Sequence, residues 1–414
     1  MKKHKTLLIT NISQAVTFEG VSKKKGRFPK KEELAVLSNA AIICKNGKIV
    51  WVGPAKEVHS FRVSTKIDAN GMVCFPGFID AHTHMVFSGS RHHEFAQRCE
   101  GKSYLEIAKA GGGILSSVQT TQHAALQDLV TQLKKRLLFS KSLGITTVEI
   151  KSGYGLSLAQ ELKCLKAIAR AKQEMGLNIF ATFLGAHAFP KGYAKEKYVA
   201  DICQKMIPTI CKQNLATFCD VFMDRGFFNL SQTKHIFRTA QQYGLRLKCH
   251  ADEFQPLGGT ELSCALQAQS VDHLISITAH GIAALKKSKT TAVLLPGTSL
   301  FLGKPFAPAR KLIDSGVRVA IATDFNPGSS MTQNLPLMTL LAATQLKMTI
   351  PEVLSAITYN AACALGIESE VGSLEIGKQA DLAFYEIPSY EYLPYHYGQN
   401  FCKLVIWKGI PTAV

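Results

Sequence analysis

From about residue 75 onward, short apolar segments alternate regularly with helical patterns, and this alternation restricts the fold more than any other feature. Repeated strand–helix units are typical of a parallel sheet covered by helices. Eight apolar segments can be counted: CFPGFIDAHTH (74–84), ITTVEIKSG (145–153), NIFATFLGAH (178–187), FCDVFMD (218–224), RLKCHADE (246–253), SVDHLI (270–275), TAVLLPG (291–297) and RVAIATD (318–324). Eight strands are the number that closes a barrel. The sequence therefore predicts an α/β fold, with a (β/α)8 TIM barrel over residues 71–371.

The two ends of the chain do not follow this rhythm. Residues 40–53 predict a β-hairpin with a tight turn at Asn46 and Gly47. Residues 372–414 are again strand-like, with few helical periods. We therefore expect residues 1–70 and 372–414 to meet in one small β-sandwich domain, which is discontinuous in sequence and flanks the barrel.

Composition narrows the class of protein. A chain of 414 residues with 46% hydrophobic content can bury a full core. The N-terminal apolar run is four residues long, far short of a signal-peptide core or a membrane helix. Eleven cysteines without a CxxC pair are typical of thiols in a reducing compartment. These features predict a cytoplasmic protein that has no membrane contact.

The net charge of +18 has two interpretations, nucleic-acid binding or a preference for small anions. The only dense basic cluster is KKKGRFPKK at residues 23–31, between two candidate strands. It lacks the interleaved aromatic residues of a single-strand binder and resembles a solvated loop. We therefore predict no nucleic-acid partner, and a small anionic substrate fits the charge better.

Histidines and one aspartate fall at the ends of several predicted strands. His82 and His84 end the first strand, His250 lies near the end of the fifth, and Asp324 ends the eighth. In such barrels the C-terminal strand ends meet on one face, and ligands of these types suit zinc or ferrous iron with room for a water molecule. His273 on the sixth strand could add a ligand or orient the water. A single such residue is more often a hydrogen-bonded core or cap residue, but five in this order favour a metal site.

Several motifs carry a resemblance to a known family. FPGFIDAHTH, CHADEF, ATDFNPG and GSLEIGKQADL resemble the amidohydrolase superfamily of metal-dependent hydrolases, over nearly the whole chain. HTHMVFSGSR, the GGGI at residues 111–114, IKSGYGL, LGAHAFP and TDFNPGSS are most similar to members that hydrolyse a C–N bond of a small cyclic amide. The resemblance implies the barrel fold and a metal-dependent hydrolase.

The resemblance also implies a ligand set. One divalent metal, zinc or iron, would be held by His82, His84, His250 and Asp324. Binuclear members carry a carboxylated lysine on the fourth strand, but the predicted fourth strand contains none. Lys151 ends the second strand, where it would be badly placed to bridge two metals. A single metal is therefore predicted.

The implied mechanism is attack of a metal-bound water on the ring carbonyl. Glu253, three residues after His250, would shuttle the proton from the water to the leaving nitrogen. His273 would polarise the carbonyl or orient the nucleophile. Without the neighbouring His250, a surface carboxylate at a strand-to-helix turn would be the better interpretation of Glu253.

A substrate that carries a carboxylate needs a cationic partner in the protein. The guanidinium of Arg91, seven residues after His84, is the candidate. The resemblance implies a pocket lined by further residues, with Tyr104 a weaker candidate. These are Tyr154, His187, Glu253, Asn326, Gly328 and Ser329.

Two other functions stay open at this point. A deaminase of a cytosine-like or guanine-like ring would use almost the same metal and shuttle groups, but it would not need Arg91 for a carboxylate. A catalytically silent scaffold would keep the barrel and use the basic loop at residues 23–31 as a contact surface. A homodimer is possible through an exposed apolar face.

Overall fold

The computed structural model describes residues 6–58, 63–102, 106 and 112–413. Its strands, in chain order, are β1 Thr6–Val16, β2 Val36–Lys45, β3 Lys48–Pro54, β4 Thr65–Asp68, β5 Val73–Pro76, β6 Phe78–Asp80, β7 Ile145–Lys151, β8 Asn178–Ala186, β9 Phe218–Met223, β10 Arg246–Ala251, β11 Ser270–His273, β12 Thr291–Leu294, β13 Val319–Ile321, β14 Leu382–Tyr385, β15 Cys402–Trp407 and β16 Ile410–Ala413.

Helices fill the connections between these strands. The α-helices are Glu19–Lys23, His92–Cys99, Ile114–His123, Leu126–Ser142, Leu158–Glu174, Lys195–Asp201, Ile207–Lys212, Leu230–Gln242, Gly259–Ala265, Ala279–Lys287, Pro296–Leu302, Ala309–Asp314, Leu335–Thr344, Ile350–Ala356, Tyr359–Leu365 and Tyr392–Tyr395. Short 3-10 helices span Lys31–Leu34 and Ala55–Glu57, and a π-helical turn spans Ile202–Met206. Among the described residues, no helix is both long and apolar enough to cross a lipid bilayer.

The strands β6 to β13 form an eight-stranded parallel sheet in which each strand pairs with its neighbour in sequence. The sheet closes through the segments that follow β6 and β13. Thr83 bridges Phe325 there, the His84 N–H donates to the Phe325 carbonyl at 3.0 Å, and the Asp324 N–H donates to the His82 carbonyl at 3.1 Å. The predicted (β/α)8 barrel is confirmed, and its closure brings the ends of the first and eighth strands together.

The predicted first strand, residues 74–84, is wrong as a single element, because the chain changes sheets within it. β5 pairs with β1 and β14 in the terminal sheet, whereas β6 pairs with β7 in the barrel. Gly77 separates the two strands, and a Cβ there would lie 2.1 Å from the Thr146 hydroxyl oxygen. Residues 73–76 thus join the terminal sheet, although they fall within the predicted barrel segment 71–371.

The terminal strands form one eight-stranded sheet in the order β16-β15-β14-β5-β1-β2-β3, with β4 also pairing β1. Residues from both ends of the chain build its apolar core, including Ile9, Ile42, Phe384 and Ile406. The predicted hairpin joins β2 to β3 at Asn46 and Gly47, which have φ angles of 54° and 78°. Both values suit the tight hairpin turn that the Asn–Gly pair predicts.

The basic segment at residues 23–31 lies between β1 and β2. Its lysines are exposed, as a solvated loop requires. Arg27 instead reaches the barrel, where its guanidinium donates to the carbonyls of Gly316 at 2.6 Å and Ser288 at 2.8 Å. The segment is therefore anchored to the barrel through Arg27 and the Gly26 carbonyl, which accepts from Asn360 Nδ2 at 3.1 Å, while its lysine side chains stay exposed.

Candidate metal and catalytic centre

Three histidines and one aspartate converge at the C-terminal face of the barrel. The Nε2 atoms of His82 and His84 each lie 3.4 Å from Asp324 Oδ1. The Nε2 atoms of His84 and His250 are 3.3 Å apart. His82, His84 and His250 each offer a nitrogen within 4.8 Å of the others, and all are buried. The structure therefore brings together the residues that were predicted to hold a metal.

A second set of side chains orients these groups. His82 Nδ1 lies 2.5 Å from Asp272 Oδ2, and His250 Nδ1 lies 3.0 Å from Asp220 Oδ1. A carboxylate beside Nδ1 fixes the proton on that nitrogen and leaves a lone pair on Nε2. The Nε2 lone pairs of both histidines therefore point toward the shared space.

This arrangement fits a cation. His82 Nε2, which lies on the side of this shared space, is buried and has no hydrogen-bond partner among the described residues. Buried polar atoms of this kind are normally satisfied, and lone pairs 3 to 4 Å apart repel each other unless a positive charge lies between them. Three imidazole nitrogens and one carboxylate oxygen are a donor set for a divalent metal.

The electrostatics favour neutral imidazoles at His84 and His250 and an ionised carboxylate at Asp324. Burial lowers the pKa of His84 to about 4 and also lowers the pKa of His250. Burial acts in the same direction on His82, but Asp272 and Asp324 outweigh it and raise that pKa. Burial would raise the pKa of Asp324, yet the adjacent imidazoles of His82 and His84 hold it well below its ordinary value. His84 and His250 are thus neutral and Asp324 is ionised near neutral pH, as metal ligation requires.

Glu253 and His273 lie beside this group. Glu253 follows β10, and its Oε2 atom is 3.6 Å from His273 Nε2. Burial raises the pKa of Glu253 well above its ordinary value and lowers the pKa of His273. The ring centroids of His273 and His250 are 5.2 Å apart. His273 and Asp324 adopt φ angles of 81° and 52°, which are strained for these residues and typical of a site that fixes side-chain direction.

Two predicted pocket residues pack directly on the centre. The ring of His187 stacks on His84 with centroids 5.0 Å apart, and the ring of Tyr154 lies 5.4 Å from His187. His187 Nδ1 lies 3.1 Å from the Gly153 carbonyl, so it carries the proton and donates there. Tyr154 and His187 therefore line the same side of the centre.

Arg91 and the turn at residues 326–329 contact each other. A Cβ on Gly328 would lie 1.9 Å from Arg91 Nη1, so only glycine permits this approach. The Nε and Nη2 atoms of Arg91 lie 2.9 and 2.8 Å from Glu94 Oε2. A narrow cleft lies beside them, lined by Phe301 and Pro327. The loop after the first strand and the loop after the eighth thus share one wall.

Asn326 shapes this turn from within. Its Oδ1 atom accepts from the N–H groups of Gly328 and Ser329, both at 2.8 Å, and its Nδ2 atom donates to the Asp324 carbonyl at 2.7 Å. Nδ2 also donates to Ser329 Oγ at 2.9 Å. The idea that Asn326 offers its amide to a substrate stays a prediction. Tyr104 and Gly111 lie outside the described residues.

Sequence reasoning missed the side chains that support these groups. Asp220 and Asp272 hold the two histidines, Thr298 donates to Asp324 Oδ2 at 2.6 Å, and Glu94 holds Arg91. Asp224 accepts from the Phe254 N–H at 2.8 Å and so fixes the turn just after Glu253. The available signal was a charged residue inside an apolar strand segment, as in FCDVFMD and SVDHLI.

Comparison with known proteins agrees with the fold. The family model described as the amidohydrolase family matches residues 73–401. The chain therefore belongs to the amidohydrolase family, and it is a hydrolase. It is 43% identical to the imidazolonepropionase of Alkaliphilus oremlandii over 97% of this chain and 96% of that protein. It is also 43% identical to the imidazolonepropionase of Thermoanaerobacter pseudethanolicus, over 99% and 98%.

Solved structures share the fold at low identity. A triazine hydrolase from Arthrobacter aurescens superposes with a TM-score of 0.77 at 20% identity, over 98% of this chain and 94% of that one. An adenosine deaminase from Xanthomonas campestris with bound zinc gives 0.70 at 20% identity, over 99% and 93%. These likenesses support the barrel architecture and its terminal sheet.

Proposed function

We propose that this protein hydrolyses 4-imidazolone-5-propanoate to N-formimidoyl-L-glutamate, a step of histidine degradation. The observation that carries the proposal is 43% identity to imidazolonepropionases along nearly the full length of both chains. The buried histidine group and the adjoining Glu253 argue against a silent scaffold, because such a scaffold would have no use for them.

We propose a single divalent metal, zinc or iron, held by His82, His84, His250 and Asp324. Lys151 supports a single metal ion rather than two, because its Nζ atom lies 2.8 Å from both Glu149 Oε1 and Asp220 Oδ2. A carboxylated lysine at this place would put a negative group against two carboxylates. Lys151 is therefore an ion-paired ammonium group and not a bridge between two metals.

A bound metal would supply a strong nucleophile at neutral pH by lowering the pKa of a water molecule from about 15.7 toward roughly 7. Addition of a water to the ring carbonyl would give a tetrahedral adduct. Collapse of this adduct would break the ring C–N bond, and the departing nitrogen would need a proton. Glu253 takes a proton from the water and delivers it to that nitrogen. Burial raises the pKa of Glu253 well above its ordinary value, and this makes its carboxylate a better base.

His273 assists from the side of the carbonyl. Burial keeps it neutral, and its Nδ1 atom has no hydrogen-bond partner among the described residues. A neutral imidazole can donate one hydrogen bond without adding charge. We assign it to orient the nucleophile or to polarise the carbonyl, within reach of Glu253.

The propanoate group would pair with Arg91, whose Nη1 atom approaches the turn at Gly328 while Nε and Nη2 are held by Glu94. Tyr154 and His187 would face the planar ring, and Asn326, Gly328 and Ser329 would form the turn beneath the carboxylate. The fit to an anion agrees with the net charge of +18. A cytoplasmic location and a homodimer stay predictions.

The test is the absorbance decay of freshly generated 4-imidazolone-5-propanoate with purified protein. The decay is followed before chelation, after chelation, and with zinc or iron restored. Metal-dependent decay with N-formimidoyl-L-glutamate as product supports the proposal. Absence of decay with metal-loaded protein, together with turnover of a nucleobase, would instead favour the deaminase alternative.

A further inference from the structure

The interior of the barrel next to the metal centre carries charged side chains. We name five of them the buried charge cluster, and all are fully buried: Glu149, Lys151, Asp220, Lys248 and Asp272. Strands of a parallel barrel are covered on both faces and normally consist of consecutive apolar residues. Buried charges persist only when they are paired. The presence of five charged side chains inside the barrel therefore needs a reason other than hydrophobic packing.

Lys151 lies at the junction of the cluster. Its Nζ atom is 2.8 Å from Glu149 Oε1, 2.8 Å from Asp220 Oδ2 and 3.9 Å from Asp272 Oδ2. Lys248 contacts only one of these carboxylates, at 3.7 Å from Asp272 Oδ2. Its ammonium group is otherwise directed to Ser270 Oγ at 2.7 Å and to the Ala81 carbonyl at 3.2 Å. Lys151 is thus the lysine of the cluster that reaches both carboxylates behind the histidines.

Those two carboxylates are the ones that orient metal-binding imidazoles on different strands. Asp220 Oδ1 accepts from His250 Nδ1 at 3.0 Å, while its Oδ2 atom faces Lys151. Asp272 Oδ2 lies 2.5 Å from His82 Nδ1. The Lys151 ammonium group is therefore separated from each of two proposed metal ligands, His250 and His82, by one carboxylate side chain. Without it, three carboxylates would share a dry space, and their repulsion would move Asp220 and Asp272 away from their histidines.

We propose that Lys151 is a positioning residue for the metal centre, because its ammonium group ties Asp220 to Asp272 and so holds His250 and His82 in the orientation that binds metal. The inference rests on the proposed function only through the metal that this function requires. Groups that support metal ligands typically change metal affinity by about 10- to 100-fold when removed.

The test compares wild type with Lys151→Met, which has nearly the same length and no charge. Metal affinity is measured by competition with a chelator, and the coordination geometry by the visible absorption of the cobalt-loaded protein. We expect affinity to fall about 10- to 100-fold and the cobalt bands to change. The matched control is Lys378→Met, which removes a buried lysine paired with Glu375 at 3.0 Å. It should leave both readouts as in wild type.

A purely structural role for Lys151 would lower thermal stability while leaving affinity and cobalt spectrum unchanged, and that result would overturn the inference. Should Lys151→Met not fold, the double variant with Glu149→Gln removes one charge of each sign and leaves the net charge of the cluster unchanged. This variant should fold and still bind metal weakly. Wild-type affinity in it would equally overturn the inference.

Neither readout uses a substrate, so failure of the inference is distinct from failure of the proposed function. Wild-type protein that binds no metal would contradict the metal centre itself, and with it this role of Lys151. If wild type binds metal normally and Lys151→Met has the same metal affinity and cobalt spectrum, only the role of Lys151 is contradicted.

Discussion

The proposed metal-facing and substrate-facing parts of the site are held in different ways. Each of His82, His250 and Asp324 is supported by a side chain from another part of the barrel, such as Asp272 behind His82 and Asp220 behind His250. Arg91 lies just before the helix His92–Cys99 and is instead held by Glu94, three residues later in that helix. The turn at residues 326–329 is likewise held by its own hydrogen bonds.

This difference in support separates the groups proposed for the chemical step from those proposed for substrate binding. The barrel strands fix the metal-facing groups against each other, so a change there disturbs the chemical step. The loops carry the substrate-facing groups with local support, so a change there alters binding while the barrel stays intact. Variants of His250, Glu253, Arg91 and Gly328 test this division.

His250→Ala should abolish metal binding and reduce turnover to the uncatalysed level. It removes one ligand and leaves the Asp220 carboxylate without its imidazole. Metal content per chain and the rate of substrate decay are the measurements. His235→Ala, on an exposed position of the helix Leu230–Gln242, is the matched control and should behave as wild type. Full activity in His250→Ala would remove this residue from the centre.

Glu253→Gln should lower kcat by about 10²- to 10⁴-fold, the usual contribution of a general acid–base group. Its metal content should stay that of wild type, because Glu253 is not among the four ligands. The kcat is measured at saturating substrate on metal-loaded protein. Glu261→Gln, on the next helix, serves as control. A variant with normal metal content and normal kcat would refute the shuttle role.

Arg91→Ala should raise KM about 10- to 100-fold, because a hydrogen bond to a charged group contributes about 1.5–3 kcal/mol. Metal content should not change, since Arg91 belongs to the substrate-facing part. Arg98→Ala removes the same charge from the same helix, where Arg98 stacks 4.6 Å from the Phe301 ring, and should change KM far less. An unchanged KM in Arg91→Ala would favour a substrate that has no carboxylate.

Gly328→Ala should raise KM by a smaller factor and leave kcat and thermal stability close to wild type. The added Cβ would meet the end of the flexible Arg91 side chain, 1.9 Å from Nη1, and would push it aside. In a double-mutant cycle the change should have no further effect in an Arg91→Ala background. Independent, additive effects would show that Gly328 does not act through Arg91.

Much of the barrel could be predicted because its signals are local. Apolar strand segments and helical periods repeat in order, and the C-terminal strand ends must share one face, so the grouping of His82, His250 and Asp324 followed from the strand count. The split at Gly77 could not be predicted in this way. The segment is apolar throughout, and only the pairing partners show that β5 and β6 belong to different sheets.

The supporting side chains were harder to predict. A charged residue within a buried strand, such as Asp220 or Lys151, signals that a partner exists. It does not say which residue is the partner, because that depends on strand register across the barrel. Sequence reasoning placed Lys151 correctly at the end of the second barrel strand but found no role for it. Glu94 was missed because a carboxylate on a short helix resembles any solvated residue.

We propose that one metal per chain, held at the strand ends, drives hydrolysis of 4-imidazolone-5-propanoate. The most direct test removes metal with a chelator, restores zinc or iron in measured equivalents, and follows substrate decay at each addition. The account predicts that activity rises in proportion to metal and levels off at about one equivalent per chain, as a four-ligand mononuclear site requires. A plateau at two equivalents, or no hydrolysis at any loading, would contradict it.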